Sequence, residues 1–313
     1  MGRTLNCPLC KSKNLNLVAV LPTSNIIDDY QRKHQIEVSA CFGNNQELNY
    51  LNCSTCDLFF FDPPIVGDEQ FYRDFQKFDW YYPEYKNEFK YAIRLIEAKD
   101  KVLEVGSGKG AFAVLLPTKR YTGLEYSESA TALAQKNGVE VINESIQTYT
   151  SKHREEYDVV CHFQVLEHVP EIHEFLKSCV DALKPGGKLI ISVPSYDSFS
   201  RLVPHFELDL PPHHVSRWTD KALRHIGELF GLEVLDIWHE PLQEAHKVVF
   251  ASSVLTQALY KIVGKRFDAH ERTFVSDFVQ RASWKIAQFL TPTSANWGLY
   301  SRGISVTAVY VKN

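Results

Sequence analysis

Val102-Leu103-Glu104-Val105-Gly106-Ser107-Gly108-Lys109-Gly110-Ala111-Phe112, followed shortly by Tyr121-Thr122-Gly123-Leu124-Glu125, decides the fold of this chain. The apolar, β-branched start reads as a buried strand, the glycines as a turn opening a helix, and the second run as a strand ending in a carboxylate. Such a turn lets backbone approach a nucleotide-like ligand, and the carboxylate falls where ribose hydroxyls lie. The spacing is G-x-G-x-G. It differs from the G-x-G-x-x-G of dinucleotide binders, and no Lys-Ser/Thr pair follows as in a P-loop, so a nicotinamide-dependent oxidoreductase is the weakest reading.

Outward from this stretch, apolar runs alternate with helical patterns, the mark of βαβ units and a parallel sheet. Strands are predicted at 101–105, 121–125, 139–142, 157–162, 187–193, 232–238 and 304–311. Helices fall at 110–116, 127–137 with Ser127 as N-cap, 172–183, and 219–230 with Thr219 as N-cap. The expected fold is α/β: a Rossmann-like, seven-stranded, mostly parallel sheet. Residues 1–75 form an N-terminal zinc-ribbon subdomain and 76–313 the main domain, with a helical insert at about 243–290 before the last strand. In the insert, Val248, Val249, Leu255, Leu259, Ile262 and Val263 fit one helix face. A lid or a homodimer surface is favoured there over membrane contact at the basic Lys261, Lys265 and Arg266.

Composition narrows the class. The 313 residues suit one large domain and one small one, and the net charge of −4 argues against a broad nucleic-acid surface. No apolar run is long enough to span a bilayer and no signal segment is visible, so a cytoplasmic protein is expected. Seven cysteines there do not read as a disulfide framework. Cys7-Pro8-Leu9-Cys10 and Cys53-Ser54-Thr55-Cys56 are two C-x-x-C pairs, each able to put two thiolates on one side of a tetrahedral ion. A structural Zn²⁺ on Cys7, Cys10, Cys53 and Cys56 follows, with a hairpin or loop inserted around 22–49. Cys41, Cys161 and Cys179 read as small buried hydrophobes.

Residues 57–75 read as the ribbon's exit, a Pro63-Pro64 turn and a short helix. Trp80-Tyr81-Tyr82-Pro83-Glu84-Tyr85 either walls a ligand pocket or staples the two domains. The loop 194–218 carries His205, His213, His214 and Trp218 beyond the fifth strand, over the carboxyl ends where open α/β sheets bind ligands. Its histidines are either acceptor-site groups or loop anchors.

Taken with Tyr157-Asp158-Val159-Val160, Val165-Leu166-Glu167-His168-Val169-Pro170 and Leu183-Lys184-Pro185-Gly186-Gly187, the glycine loop resembles the class I S-adenosylmethionine (SAM) methyltransferases, including ubiquinone-type O-methyltransferases. The cysteine pairs, Cys56-Asp57-Leu58-Phe59 and the Pro63-Pro64 turn are similar to the zinc-ribbon extension of bacterial deoxysugar C-methyltransferases. The resemblance implies SAM as donor and a small acceptor such as a sugar nucleotide or glycan intermediate. It further implies that Gly106, Gly108 and Gly110 admit the donor's amino-acid end and that Glu104 orients its ammonium. Glu125, beside Tyr126, would accept from both ribose hydroxyls, with Ile146 and Phe163 flanking the adenine.

The chain departs from these relatives in three places. Pro211-Pro212-His213-His214 stands where the sugar C-methyltransferases carry a tyrosine and a glutamate-histidine set, which favours oxygen over carbon as acceptor. Asn143-Glu144-Ser145-Ile146 replaces an Asp-containing segment. Where some relatives hold a divalent cation on Glu-x-x-Glu-His, this chain has Gln164-Val165-Leu166-Glu167-His168, a loss that weakens a hard-cation site and leaves Glu167 and His168 to cap the next turn. A hydroxyl acceptor loses its proton as the new bond forms, and His214, with His213 beside it, is the expected catalytic group. The competing functions are a non-catalytic zinc-ribbon, SAM-binding module and an RNA methyltransferase; the acidic balance disfavours the latter.

Overall fold

Short runs of apolar residues broken by the two cysteine pairs shape the N-terminal end. The computed structural model describes residues 5–75, 77–78, 86–203, 206–262, 264, 273–290 and 302–313. Strands β1 (Leu15–Pro22), β2 (Glu47–Cys53) and β3 (Phe59–Asp62) form an antiparallel sheet in that order. The expected hairpin or loop between β1 and β2 is instead helical, α1 (Thr23–His34) and α2 (Ser39–Phe42). Ile26 and Tyr30, one turn apart, are fully buried, and Arg32, Lys33 and His34 sit at the negative end of the α1 dipole. The helix starts after Pro22 without a side-chain cap, so its usual sequence signal is missing.

After α3 (Glu69–Phe75) and α4 (Asn87–Ile93), the chain enters its central sheet. Strands β4 (Val102–Val105), β5 (Tyr121–Leu124), β6 (Val141–Ile142), β7 (Tyr157–Phe163) and β8 (Leu183–Pro194) pair in parallel. The helices α5 (Glu128–Lys136), α6 (Ile146–Thr150) and α7 (Ile172–Ala182) connect them. A two-residue strand, β9 (Ser216–Arg217), leaves this half of the chain and pairs with β3, completing the N-terminal sheet. Helix α8 (Asp220–Phe230) and β10 (Leu232–His239) follow, and after the insert β11 (Ser305–Lys312) runs antiparallel between β8 and β10. The order β10-β11-β8-β7-β4-β5-β6 places a topological switch point beside β4, where the crevice of an open α/β sheet binds its ligand.

Ser127 and Thr219 cap α5 and α8 as expected, accepting from the N–H groups of Ala130 and Ala222. The helix expected at 110–116 shrinks to a 3₁₀ turn at Ala113–Leu115. Gly106, Gly108 and Gly110 all take positive φ, which keeps the loop out of the helical region, and Pro117 closes the segment.

The insert forms α9 (Lys247–Ile262) and α10 (Phe274–Leu290). Its buried side differs from the one expected. Phe250, Ala251, Ser252, Ser253, Thr256 and Tyr260 are buried, whereas Val249, Leu259 and Ile262 are exposed. The small hydroxyl residues face a cavity, so apolar periodicity alone pointed to the wrong face. Lys265 and Arg266, His205 and the Trp80–Tyr85 aromatic run lie outside the described residues. Among the described residues no helix is long and apolar enough to cross a membrane.

Cys7, Leu9, Cys53, Cys56 and Leu58 share one continuous core with Leu103, Val160, Leu176, Leu189 and Trp218. The cysteine knuckles are thereby packed into the same hydrophobic body as the central sheet. Cys161 and Cys179 are buried as expected; Cys41 is only half-buried.

Candidate functional site

The two C-x-x-C turns are built alike. In each, the residue after the second cysteine takes a left-handed φ, +59° at Lys11 and +65° at Asp57, and donates its N–H back to the first cysteine's carbonyl. This repeated turn aims four sulfurs at one point. Cys7 and Cys56 lie 3.6 Å apart, as do Cys10 and Cys53, and all four sulfurs fall within 4.8 Å of one another. A tetrahedral ion with Zn–S bonds of ~2.3 Å requires sulfurs about 3.8 Å apart, so the set fits such an ion. Contact with Cys53 raises the Cys56 thiol and pushes Cys7 up to about 12, so the four do not ionise together without a cation. The knuckle docks on α7 through His173, whose ring donates to the Leu9 carbonyl at 2.9 Å.

At the carboxyl end of β4, Glu104 is 3% exposed and accepts from the Tyr121 hydroxyl at 2.5 Å. Burial pushes its carboxyl up to about 8. Glu125, at the end of β5, accepts from the N–H of Gly108 and of Ser127, both at 2.8 Å. Asn143, in the segment that departs from the relatives, donates to the carbonyls of Glu125 and Tyr126 and so holds the same corner. A Cβ on Gly106 would meet Val165 Cγ2 at 2.4 Å, so the loop packs with no room for a side chain.

These groups open on a cavity of about 1700 Å³. That exceeds the ~300–1,000 Å³ of an ordinary ligand pocket, leaving room for two ligands side by side. Glu104, Gly106, Gly108, Glu125, Tyr126, Ile146 and Phe163 line it. Gly110 is the exception: it sits behind the loop, where a Cβ would meet Val139 at 2.9 Å, and serves strand–helix packing.

Away from the glycine loop the cavity wall is polar. Gln164, at φ +58°, donates to Glu88 at 3.3 Å and to the hydroxyl of Ser305 at 3.3 Å. Glu240 accepts from the Ser305 N–H, Asn87 and Gln243. The insert adds Ser252, Ser253 and Thr256 from α9 and Gln280 and Trp284 from α10.

Beside this wall three imidazoles meet. His213 and His214 stack with ring centres 4.3 Å apart, and His168 meets them edge-on at 4.8 and 4.9 Å. Glu167 and His168 do not cap the turn that holds them, Leu166–His168. His168 bonds instead to the His213 carbonyl, and neither Glu167 oxygen has a hydrogen-bond partner among the described residues. Burial, with His214 adding to it, carries His168 down to about 3 and His213 well below the usual histidine range.

The profile of the Methyltransferase domain family matches residues 75–237, just over half of the chain. The chain belongs to that family. Among curated proteins, the ubiquinone biosynthesis O-methyltransferases of Salmonella arizonae and Salmonella typhimurium are each 28% identical over 156 residues, 42% of this chain and 64% of the relative. The chain thus spans less than two thirds of their length. Among solved structures, a SAM-dependent methyltransferase from Archaeoglobus fulgidus aligns with TM-score 0.48 at 18% identity, over 72% of this chain and 91% of the other. A SAM-dependent methyltransferase from Thermotoga maritima, titled as a possible histamine N-methyltransferase, aligns with TM-score 0.49 at 17% identity, over 78% and 98%.

Within this family framework, several cavity residues escaped sequence reasoning. Glu88, Glu240 and Ser305 carry no motif, and only the chain path brings them to Gln164. Asp209, 3.3 Å from His214 Nδ1, sits in a loop of ordinary composition. The signal for His168 was present in the Glu167-His168 pair, but its partners lie 45 positions downstream.

Proposed function

We propose that this chain is a SAM-dependent methyltransferase acting on an oxygen of a small, hydroxyl-rich acceptor such as a sugar or glycan precursor. The carrying observation is the glycine loop, flanked by Glu104 and Glu125, opening on a cavity large enough for donor and acceptor together. When bound, SAM supplies a methyl carried on a positively charged sulfur. Glu104 faces the donor's ammonium, and the Glu125 carboxylate takes the ribose hydroxyls while shaping the loop. Ile146 and Phe163 supply apolar wall for the adenine. Alignment of the reactants and exclusion of water by the insert are the main services such a displacement needs.

Acceptor chemistry is argued from the wall. Glu88, Gln164, Glu240 and Ser305 converge as donors and acceptors suited to several hydroxyls. The O-methyltransferase relatives favour oxygen as the atom modified. His214, with His213 stacked on it and Asp209 against its Nδ1, is assigned to activating that oxygen. Residues 1–75 are assigned to a subdomain holding structural Zn²⁺ on Cys7, Cys10, Cys53 and Cys56, closed to chemistry because all four positions are filled by protein.

Isothermal calorimetry with SAM and S-adenosylhomocysteine tests the donor half. Both are expected to bind the wild-type chain and neither to bind Gly108→Arg. Absence of binding to the wild type sinks the proposal. Transfer of a labelled methyl to a panel of sugars and nucleotide sugars then tests the acceptor.

A further inference from the structure

We propose that His168, His213 and His214 form, with the Glu167 carboxylate, a second metal site that takes a borderline divalent transition ion such as Zn²⁺, Fe²⁺ or Co²⁺. It opens on the acceptor half of the cavity. Its role in activating the acceptor rests on the methyl-transfer proposal; its existence does not.

Two segments make the site, the 3₁₀ turn after β7 and the loop before β9. Each imidazole offers one ring nitrogen, and the three fall within 4.8 Å of one another. The other nitrogen of each ring is held. His168 Nδ1 donates to the His213 carbonyl, His213 Nδ1 to the Leu208 carbonyl at 2.8 Å, and His214 Nδ1 pairs with Asp209 Oδ1 at 3.3 Å. A ring that donates from Nδ1 to a carbonyl or carboxylate carries its lone pair on Nε2. That outer-shell arrangement fixes the tautomer and orientation of metal-ligating histidines. Three loop anchors would need no such agreement.

Glu167 is the independent observation. Its carboxylate is 1% exposed, both oxygens lack hydrogen-bond partners among the described residues, and Oε1 stands 3.9 Å from His168 Nε2. A buried carboxyl left so is costly, and an ion at the imidazoles offsets that cost. The rings are also held neutral, as ligands must be.

The donor set chooses the ion. Three imidazoles and one carboxylate suit Zn²⁺, Fe²⁺ or Co²⁺, whereas Mg²⁺ and Ca²⁺ call for oxygen ligands. Gln164 supplies no further carboxylate, because its amide is turned toward Glu88 and Ser305. Zn–N bonds of ~2.1 Å set ligand nitrogens about 3.4 Å apart, so binding draws the rings together by about an ångström. A site with these ligands keeps a position toward the cavity for an acceptor oxygen, where a metal ion lowers the pKa of a bound hydroxyl.

Metal analysis and cobalt spectroscopy on the full chain test the site. The apoprotein, refilled with Co²⁺ and dialysed, is expected to hold two equivalents. One shows the thiolate-to-cobalt charge transfer of the cysteine site; the other shows ligand-field bands without it. His168→Gln and His214→Gln should each hold one equivalent and lose only the second spectrum. Asp209→Asn, which keeps all ligands, should weaken the second Co²⁺ by roughly 10–100-fold. One equivalent in the wild type, or equal content and spectra in both histidine variants, overturns the site. SAM binding measured on the same samples separates the two proposals: loss of SAM binding with both ions retained overturns methyl transfer and leaves the metal site standing.

Discussion

The backbone N–H of Gly108 donates to Glu125 Oε2 at 2.8 Å, tying the glycine loop to the end of the neighbouring strand. The other carboxylate oxygen takes the Ser127 N–H, so one side chain sets both the loop and the start of the next helix. Glu125 is therefore a structural member of the donor cradle as well as a candidate ligand for ribose.

That double role predicts the effect of its loss. Glu125→Ala should weaken SAM binding by roughly 1–3 kcal/mol through lost charge-assisted hydrogen bonds. Gly108→Arg, which fills the approach to the loop, should abolish binding while the sheet stays folded. Calorimetry paired with circular dichroism checks both; unchanged affinity in the two variants would remove the donor site from this corner.

Glu104 predicts a proton release. Burial raises its carboxyl to about 8, so at neutral pH it is largely protonated. A raised carboxyl disfavours the folded state as pH climbs from the unfolded value of ~4.3 toward 8, so stability from this group is greatest in acid and falls across that window. An ammonium placed against it reverses the balance and expels the proton. Between about pH 6 and 7, where an α-amino group is still charged, SAM affinity should rise with pH. The binding enthalpy should depend on the ionisation heat of the buffer. In Glu104→Gln that dependence should vanish; its persistence assigns the proton elsewhere.

Zinc removal should unfold before it disarms. The knuckles share a core with Leu103, Val160 and Trp218, so freeing the four thiols loosens packing that reaches the central sheet. Substitution of Cys7, Cys10, Cys53 or Cys56 by serine should release the ion and lower the melting temperature, with SAM affinity still measurable below the new transition. A metal-free protein of unchanged melting temperature would contradict a structural zinc.

His214→Ala should cut turnover by roughly 10²–10⁴-fold, the scale of a lost acid–base group, with little change in SAM affinity. Its ring lines the cavity beside His168 and His213, apart from the glycine loop. Full activity in both His213→Ala and His214→Ala would reduce the pair to loop anchors.

Local chemistry made much of this protein legible from its residues. The β-branched runs, the glycines and the caps at Ser127 and Thr219 each act over a few positions, and the seven strands form within a few residues of their expected places. The cysteine pairs are legible for the same reason, since two residues between thiolates suffice to shape a knuckle. Local rules failed where contacts act over distance. The 22–49 segment became helical because Ile26 and Tyr30 found a core, and α9 turned its hydroxyl face inward because a cavity lay there.

By itself, then, the sequence determined the sheet, the glycine turn and the cysteine quartet, whose signals are periodicity and short spacing. Tertiary structure alone decided that β9 completes the N-terminal sheet, that Glu88, Gln164, Glu240 and Ser305 share one wall, and that His168 meets His213 and His214. Those groups are joined by the path of the chain through a packed core. No pattern of neighbours along the backbone encodes which distant side chains that path brings within a few ångströms.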